Sequence, residues 1–221
     1  MTDRKTLLET CEAELYAAVV ADTLDALGLR NQVVHPGLAP LDETRRIFGF
    51  ARTGLYMPIY HDDETVNVYE HEIRLVDDLA EGEVPVISCG GNTAIAPWGE
   101  LLSTRAQVLG SPGCITDGSV RDVAMIREMG YPVFCGGRNP SDTKYRGKMM
   151  WIDVPCRLGG VEVNSGDLVI ADMDGIVFVP ADRLETALEG ALAKVRSENT
   201  VREELRSGVT LAETFARHGI L

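Results

Sequence analysis

Between Val84 and Cys135 three short apolar runs alternate with two stretches of helical spacing, and that alternation leaves a chain few ways to fold. Val84-Pro-Val-Ile-Ser-Cys89 reads as a buried strand running into the turn Gly90-Gly91. A helix over residues 99–109, a strand over 113–116, a helix over 121–129 stopped by Gly130, and the strand Pro132-Val-Phe-Cys135 follow. A β-α-β-α-β rhythm needs crossover connections, so it predicts an α/β fold with a largely parallel central sheet.

The flanking stretches have other textures. Leu7, Leu8, Cys11, Leu15, Ala18, Val19, Leu24 and Leu27 recur at helical spacing and stop at Gly28, which suits one or two N-terminal helices capped by that glycine. Residues 47–57 read as a strand and 65–80 as a helix. After a polar, exposed loop over 136–148, short apolar strands over 149–156, 160–163, 168–171 and 176–179 are separated by Ser165-Gly166 and Asp174-Gly175, the mark of antiparallel hairpins. Residues 182–206 form a long helix, and Thr210 with Glu213 makes a capping box for a last one.

No linker or compositional break divides the 221 residues, so one domain over 1–221 is expected. A net charge of -13 repels nucleic acid and anionic membrane alike. No run reaches the roughly 18 apolar residues of a membrane span, and the start lacks a signal-peptide block, which points to the cytoplasm. The five cysteines are odd in number and widely spaced, fitting reduced, buried thiols better than disulfides or a zinc site.

The chemistry concentrates in the parallel segment. Arg121 and Asp122 follow the strand that ends near Thr116 and the expected turn Asp117-Gly-Ser119, at the carboxyl edge where ligands bind in open α/β sheets. Twenty residues separate Arg121 from Glu100, in the helix start Gly99-Glu-Leu-Leu102. The free amides there, those of Leu101 and Leu102, can cradle a carboxylate. An Arg beside a 2-oxo group stabilises developing negative charge, an Asp can hold a hard divalent ion, and Glu100 can position a proton-moving water. The same residues admit a plainer reading: Ser119-Val-Arg-Asp122 is a capping-box pattern, and a Glu in a first helical turn is ordinary dipole chemistry.

Other constellations are weaker. His71-Glu72 begins a zincin-like pattern, but Leu75 stands where the second His is needed. Asp172-Met-Asp174-Gly175 lacks the remaining ligands of a calcium loop and reads as a hairpin turn. Lys5, Lys144, Lys148 and Lys194 all sit in polar stretches, unlike a Schiff-base lysine. Asn67 fits a solvated helix face, Trp151 fits the core, and Trp98 fits either core or pocket. No phosphate loop, nucleophile elbow or dinucleotide fingerprint occurs.

Glu100 with Arg121-Asp122 resembles the acidic-x20-Arg-Asp signature of the 4-hydroxy-4-methyl-2-oxoglutarate aldolase and RraA-like family. Val20-Ala-Asp-Thr-Leu-Asp-Ala-Leu-Gly28, Met129-Gly-Tyr-Pro-Val-Phe134, Val163-Asn-Ser-Gly-Asp-Leu-Val-Ile-Ala-Asp172 and Asp174-Gly-Ile-Val-Phe-Val-Pro180 are similar to family segments in the family's order. The resemblance implies an α-β-β-α layered sandwich of swivelling β/β/α type, assembled as a homotrimer or a homohexamer with sites between subunits. It implies a class II pyruvate aldolase dependent on Mg²⁺ or Mn²⁺, with oxaloacetate decarboxylase activity through the same enolate.

Carried over, Asp122 would ligate the metal, Arg121 would bind the pyruvate oxygen, and the Leu101 and Leu102 amides behind Gly99 would hold the carboxylate. Glu100 would position the water, and a glutamate of the neighbouring subunit, matching Glu198, would hold a water of the metal. Glu100 departs from the family's frequent Asp by one methylene, and the loop over 138–148 is distinctive. The alternatives are a non-catalytic regulator of ribonuclease activity that binds a protein partner, and an isomerase or hydratase of a sugar acid.

Overall fold

The computed structural model describes residues 4–220 apart from Pro36 and Asp62, without the side chains of Arg4 and Leu7, so Leu7's place on the helical stripe lies outside the described residues. Helices α1 (Arg4–Glu14) and α2 (Ala17–Ala26) come first. Gly28, at φ +81°, ends α2 as expected: its amide and that of Leu29 reach back to the carbonyls of Asp25 and Leu24.

Strands β2 (Ile47–Pro58), β3 (Glu83–Ser88), β4 (Cys114–Val120) and β5 (Val133–Arg138) lie side by side and parallel. Their crossovers are α3 (Glu70–Asp77), α4 (Glu100–Val108) and α5 (Val123–Met129). The short β1 (Ala39–Pro40) pairs antiparallel with β5. On the other side β2 takes β6 (Gly147–Ile152) and β9 (Leu168–Asp172) antiparallel, and β10 (Gly175–Val179) pairs with β9. β7 (Cys156–Leu158) and β8 (Val161–Val163) make a separate hairpin, and α6 (Leu184–Arg206) and α7 (Leu211–His218) close the chain. The capping box of Thr210 and Glu213 is formed.

Side-chain alternation explains the layers. Ile47, Ala51, Val84, Val86, Ile115, Phe134, Val169, Ala171, Ile176 and Phe178 meet in one interior cluster with the β7–β8 hairpin. The residues between them point the other way, into two helical layers: Ile87, Cys114, Val133 and Cys135 pack towards α3, α4 and α5, while Phe48, Phe50, Leu168, Ile170, Val177 and Val179 pack against α1, α2 and α6. One face of a single sheet therefore closes on itself between two helical layers, the expected α-β-β-α arrangement. The long β2 joins the halves, its outward face meeting one layer at Phe48 and Phe50 and the other at Tyr56.

Several expectations are corrected. The helix expected over 65–80 covers only Glu70–Asp77, because the Asp63 carboxylate takes the Thr65 amide and the Asn67 side chain takes the Tyr69 amide, holding 63–69 in turns. β4 runs through the expected turn to Val120, with an irregularity in its pairing to β5 between Thr116 and Ser119. Asp117 is buried there and accepts the amides of Cys89 and Gly91. Trp151, expected in the core, is 48% exposed on β6, whereas Trp98 is buried with its indole N–H donated to Ser103 Oγ at 2.8 Å. The loop after β5 is less exposed than its polarity suggests, since Thr143 is buried. All five cysteines are buried and free. Among the described residues no helix is long and apolar enough to cross a membrane.

Candidate active site

At the carboxyl edge of the parallel strands, β4 hands the chain to α5 through Arg121 and Asp122, beside the start of α4. A parallel bridge joins Trp98 to Val120, and the Arg121 amide donates to the Trp98 carbonyl at 3.0 Å. Asp122 then adopts the left-handed conformation, φ 56° and ψ 32°, which few non-glycine residues take without a reason. Its Oδ2 accepts the Glu100 amide at 3.2 Å and stands 3.6 Å from Arg121 Nε.

The capping box that sequence allowed between Ser119 and Asp122 is not made. Ser119 lies inside β4, its amide going to Ile95 and its hydroxyl to the Thr93 carbonyl. The carboxylate of Asp122 instead serves the first turn of the neighbouring helix. Gly99 permits this packing: a Cβ there would sit 2.8 Å from Asp122 Oδ2 and 3.1 Å from Arg121 Cγ. A side chain there would push the Asp122 carboxylate and the Arg121 side chain aside.

A pocket of about 160 Å³ opens at this junction, and Gly99, Leu101, Leu102, Arg121 and Asp122 lie on its wall. Ser103 is the first residue of α4 whose amide meets a carbonyl of the preceding turn, at Gly99, so the Leu101 and Leu102 amides stay available at the helix start. Leu101 itself is 76% exposed. Glu100 offers its backbone to Asp122, but its carboxylate turns along its own helix to accept from Thr104 Oγ1 at 2.7 Å and is not on the pocket wall. Glu198 lies far along α6, accepting from the Tyr16 hydroxyl and paired with Arg202 at 3.8 Å. Within one chain it is not part of this pocket.

The facing wall was not foreseen from sequence. It consists of Tyr69 and Glu72 from the start of α3 and of Asp142 and Thr143 from the loop before β6. Asp142 Oδ2 is 3.0 Å from Arg121 Nη1, and its Oδ1 accepts from Tyr69 Oη at 2.9 Å and from the Lys144 amide at 2.9 Å. Burial alone would raise the Asp142 pKa, but the Lys144 amide, the Tyr69 hydroxyl and Arg121 together hold it below the usual value. Partial burial pulls Arg121 down, and the bond and charge of Asp142 with the charge of Asp122 more than reverse that.

Burial, with the Asp142 bond, pushes Tyr69 up to about 12. Glu72 is only 7% exposed, and burial raises its pKa to about 7, with the Tyr56 hydroxyl, 2.6 Å from Oε2, working against the rise. One signal could have found Glu72: it falls on the stripe of Leu75, Val76 and Leu79, a carboxylate where the helical period asks for an apolar residue. His71 faces away, with Nδ1 3.0 Å from the Met149 carbonyl.

Among the described residues no group of three His, Cys, Asp or Glu side chains could by itself hold a metal. Asp122 is a single hard oxygen donor, 39% exposed, which suits an ion such as Mg²⁺ that keeps most of its waters and takes one or two protein carboxylates.

The chain is 30% identical over 197 residues to protein DlpA of Legionella pneumophila, covering 89% of this chain but 31% of that longer protein. It is 29% identical over 119 residues to the 4-hydroxy-4-methyl-2-oxoglutarate aldolase of Thermus thermophilus, covering 52% of this chain and 72% of the relative. Among solved structures, RraAS2 of Streptomyces coelicolor, described as an unusual member of the RNase ES inhibitor RraA protein family, superposes with a TM-score of 0.81 at 28% identity, covering 90% of this chain and 98% of its own. The family model described as RraA-like, Aldolase/RraA, matches residues 17–178, and the chain belongs to that family.

Proposed function

We propose that the protein is a divalent-metal-dependent lyase that cleaves a 4-hydroxy-2-oxo acid to pyruvate and a second carbonyl compound, and that it decarboxylates oxaloacetate in the same pocket. The observation that carries this is the glycine-tight junction of Gly99 with Arg121 and Asp122, which brings a guanidinium, a hard carboxylate and free helix-start amides to one pocket.

Each group has a task in this reading. The amides of Leu101 and Leu102 receive the substrate carboxylate at the positive end of α4. Arg121 faces the 2-oxo oxygen and stabilises the charge that grows there as the C3–C4 bond breaks. Asp122 would hold Mg²⁺ or Mn²⁺, which when bound supplies Lewis-acid polarisation of the 2-oxo acid. Asp142 pairs with Arg121 and would yield part of it to the incoming oxygen. Glu100, once its carboxylate swings from Thr104 towards the pocket, would return a proton to C3 through a water. Glu198 can contribute only from another copy of the chain, consistent with a homotrimer or homohexamer that light scattering of the purified protein would reveal.

The test is pyruvate release, with Mg²⁺, Mn²⁺ or EDTA, from 4-hydroxy-4-methyl-2-oxoglutarate, its relatives and oxaloacetate. Turnover that EDTA abolishes and Asp122→Ala removes is expected. No pyruvate from any of them, with metal binding intact in Asp122→Ala, would sink the reading. The description of the Streptomyces neighbour supports a second one, a regulator of ribonuclease activity acting through a protein partner. Absent turnover together with co-purification of a ribonuclease would favour it.

A further inference from the structure

Glu72 is the most deeply buried acidic residue that this chain brings to the pocket wall, at 7% exposure, and it faces Arg121 and Asp122 across a space of about 160 Å³. Tyr56 on β2 donates its hydroxyl to Glu72 Oε2 at 2.6 Å and so fixes the carboxyl group. Oε1 takes no hydrogen bond, yet among the described residues no fully enclosed side-chain oxygen or nitrogen lacks a partner. Oε1 therefore opens on the pocket that Glu72 lines. Burial raises the Glu72 pKa to about 7, with the charge of Asp142 adding to the rise and the Tyr56 bond and Arg121 opposing it. A group with that proton affinity can take a proton in one step and release it in the next. The neighbouring carboxylates are committed otherwise. Burial raises Asp142, but the Lys144 amide, Tyr69 and Arg121 pull it below the usual value, and Asp122 Oδ2 accepts the Glu100 amide.

We propose that Glu72 is a catalytic base of the cleavage reaction, its Oε1 taking the proton of the C4 hydroxyl as the C3–C4 bond breaks. The inference rests on the lyase reading and supplies the proton transfer that the roles of Arg121, Asp122 and Glu100 leave open. The O–H bonding pair becomes the second bond of the C4 carbonyl, the C3–C4 pair passes to the pyruvyl half as an enolate, and the proton moves to Oε1. C3 then takes a proton from water, and Glu72 returns its own to solvent after the carbonyl product leaves. Oxaloacetate carries no C4 hydroxyl. Its carbon 4 departs as carbon dioxide, the same electron pair passes to C3, and no proton is taken at carbon 4. Glu72 thus has a task in the cleavage and none in the decarboxylation.

Glu72→Gln keeps the shape of the side chain and removes its basicity, which provides the test. Cleavage of 4-hydroxy-4-methyl-2-oxoglutarate by the metal-loaded protein is compared with two reactions of the same enolate that involve no C4 hydroxyl. These are oxaloacetate decarboxylation and exchange of the pyruvate methyl protons in deuterated water. The ratio of cleavage to either comparator is expected to fall about 100-fold in Glu72→Gln, and Glu72→Asp should recover about tenfold of it. In the wild type, kcat/KM for cleavage should climb with pH through an inflection near 7 that the comparators lack. The groups that bear on Glu72 there are Tyr56, Tyr69, Cys89, Arg121 and Asp142. An equal loss in all three reactions, or cleavage that survives Glu72→Gln, overturns the proposal. Should Glu72→Gln not fold, the wild-type profiles decide, and an inflection shared by all three reactions is the contrary outcome. Active protein with an unmoved ratio defeats the role of Glu72 alone, while no turnover of any substrate defeats the lyase reading and this inference together.

Discussion

The two walls of the pocket are built on different principles. One wall is a local construction: β4 ends, Arg121 and Asp122 follow, and the start of α4 lies against them because Trp98 bridges to Val120. The other gathers Tyr69 and Glu72 from α3 with Asp142 and Thr143 from a loop some seventy residues away, joined by the bond of Tyr69 to Asp142. In the proposed reaction the first wall would supply chemistry useful to any 2-oxo acid, and the second would face the remainder of the substrate.

The comparison breaks most visibly at the first wall. Asp122→Ala or Arg121→Lys should lower kcat/KM by about 10²- to 10³-fold, the usual cost of a lost charge-stabilising group. Retention of more than a tenth of the activity would remove these residues from the chemistry. Gly99→Ala should follow at about 100-fold, since the new Cβ displaces the Asp122 carboxylate and the Arg121 side chain while the circular dichroism spectrum stays native. A fully active Gly99→Ala enzyme would show that the tight junction is incidental.

The second wall should instead register in stability against pH. The Glu72 pKa is raised from 4.5 to about 7, so the folded state binds its proton more tightly than the unfolded chain does. Its contribution is fully present below about pH 4.5 and is lost as pH rises through 7, a change on the order of 3 kcal/mol. The groups that bear on it are Tyr56, Asp142 and Arg121. Urea midpoints at pH 5 and pH 8 should therefore differ in the wild type, and Glu72→Gln should largely level them. An equal fall in the variant would assign the pH dependence elsewhere.

Tyr56→Phe removes the donor on Glu72 Oε2 and should cost about 1–2 kcal/mol at pH 8, with the Glu72 pKa moving further up. Denaturation of Tyr56→Phe beside Glu72→Gln and the double variant would expose the coupling as non-additivity. The smallest effect is expected at Trp151, which is 48% exposed: Trp151→Ala should change stability by only about 0.5 kcal/mol. A loss of several kcal/mol there would restore the core placement its sequence suggested.

Legibility followed the same division. The α/β rhythm was readable because apolar runs of strand length and helical stretches alternate over residues 84–135, and the cap at Gly28 and the box at Thr210 because caps are local. Glu100, Arg121 and Asp122 were readable as a constellation, but their spacing could not show that the Glu100 side chain turns to Thr104. Nor could it show whether Asp122 closes its own helix or serves the next one. The 65–80 helix was overextended because Asp63 and Asn67 claim backbone amides that periodicity does not register. Trp151 was misplaced because hydrophobicity does not reveal that a side chain on β6 faces away from the core.

By itself the sequence determined the order of the main strands and helices, the caps at Gly28 and Thr210, and which residues stand at the carboxyl edge of β4. These follow from interactions a few residues apart. Tertiary structure alone decided that one sheet face closes on itself, that Asp122 caps a neighbouring helix, and that Glu72, Tyr69 and Asp142 confront Arg121. The reason is physical: hydrogen bonds and burial across distant segments form only once the core is packed, and linear spacing carries no record of which of the possible partners will be near.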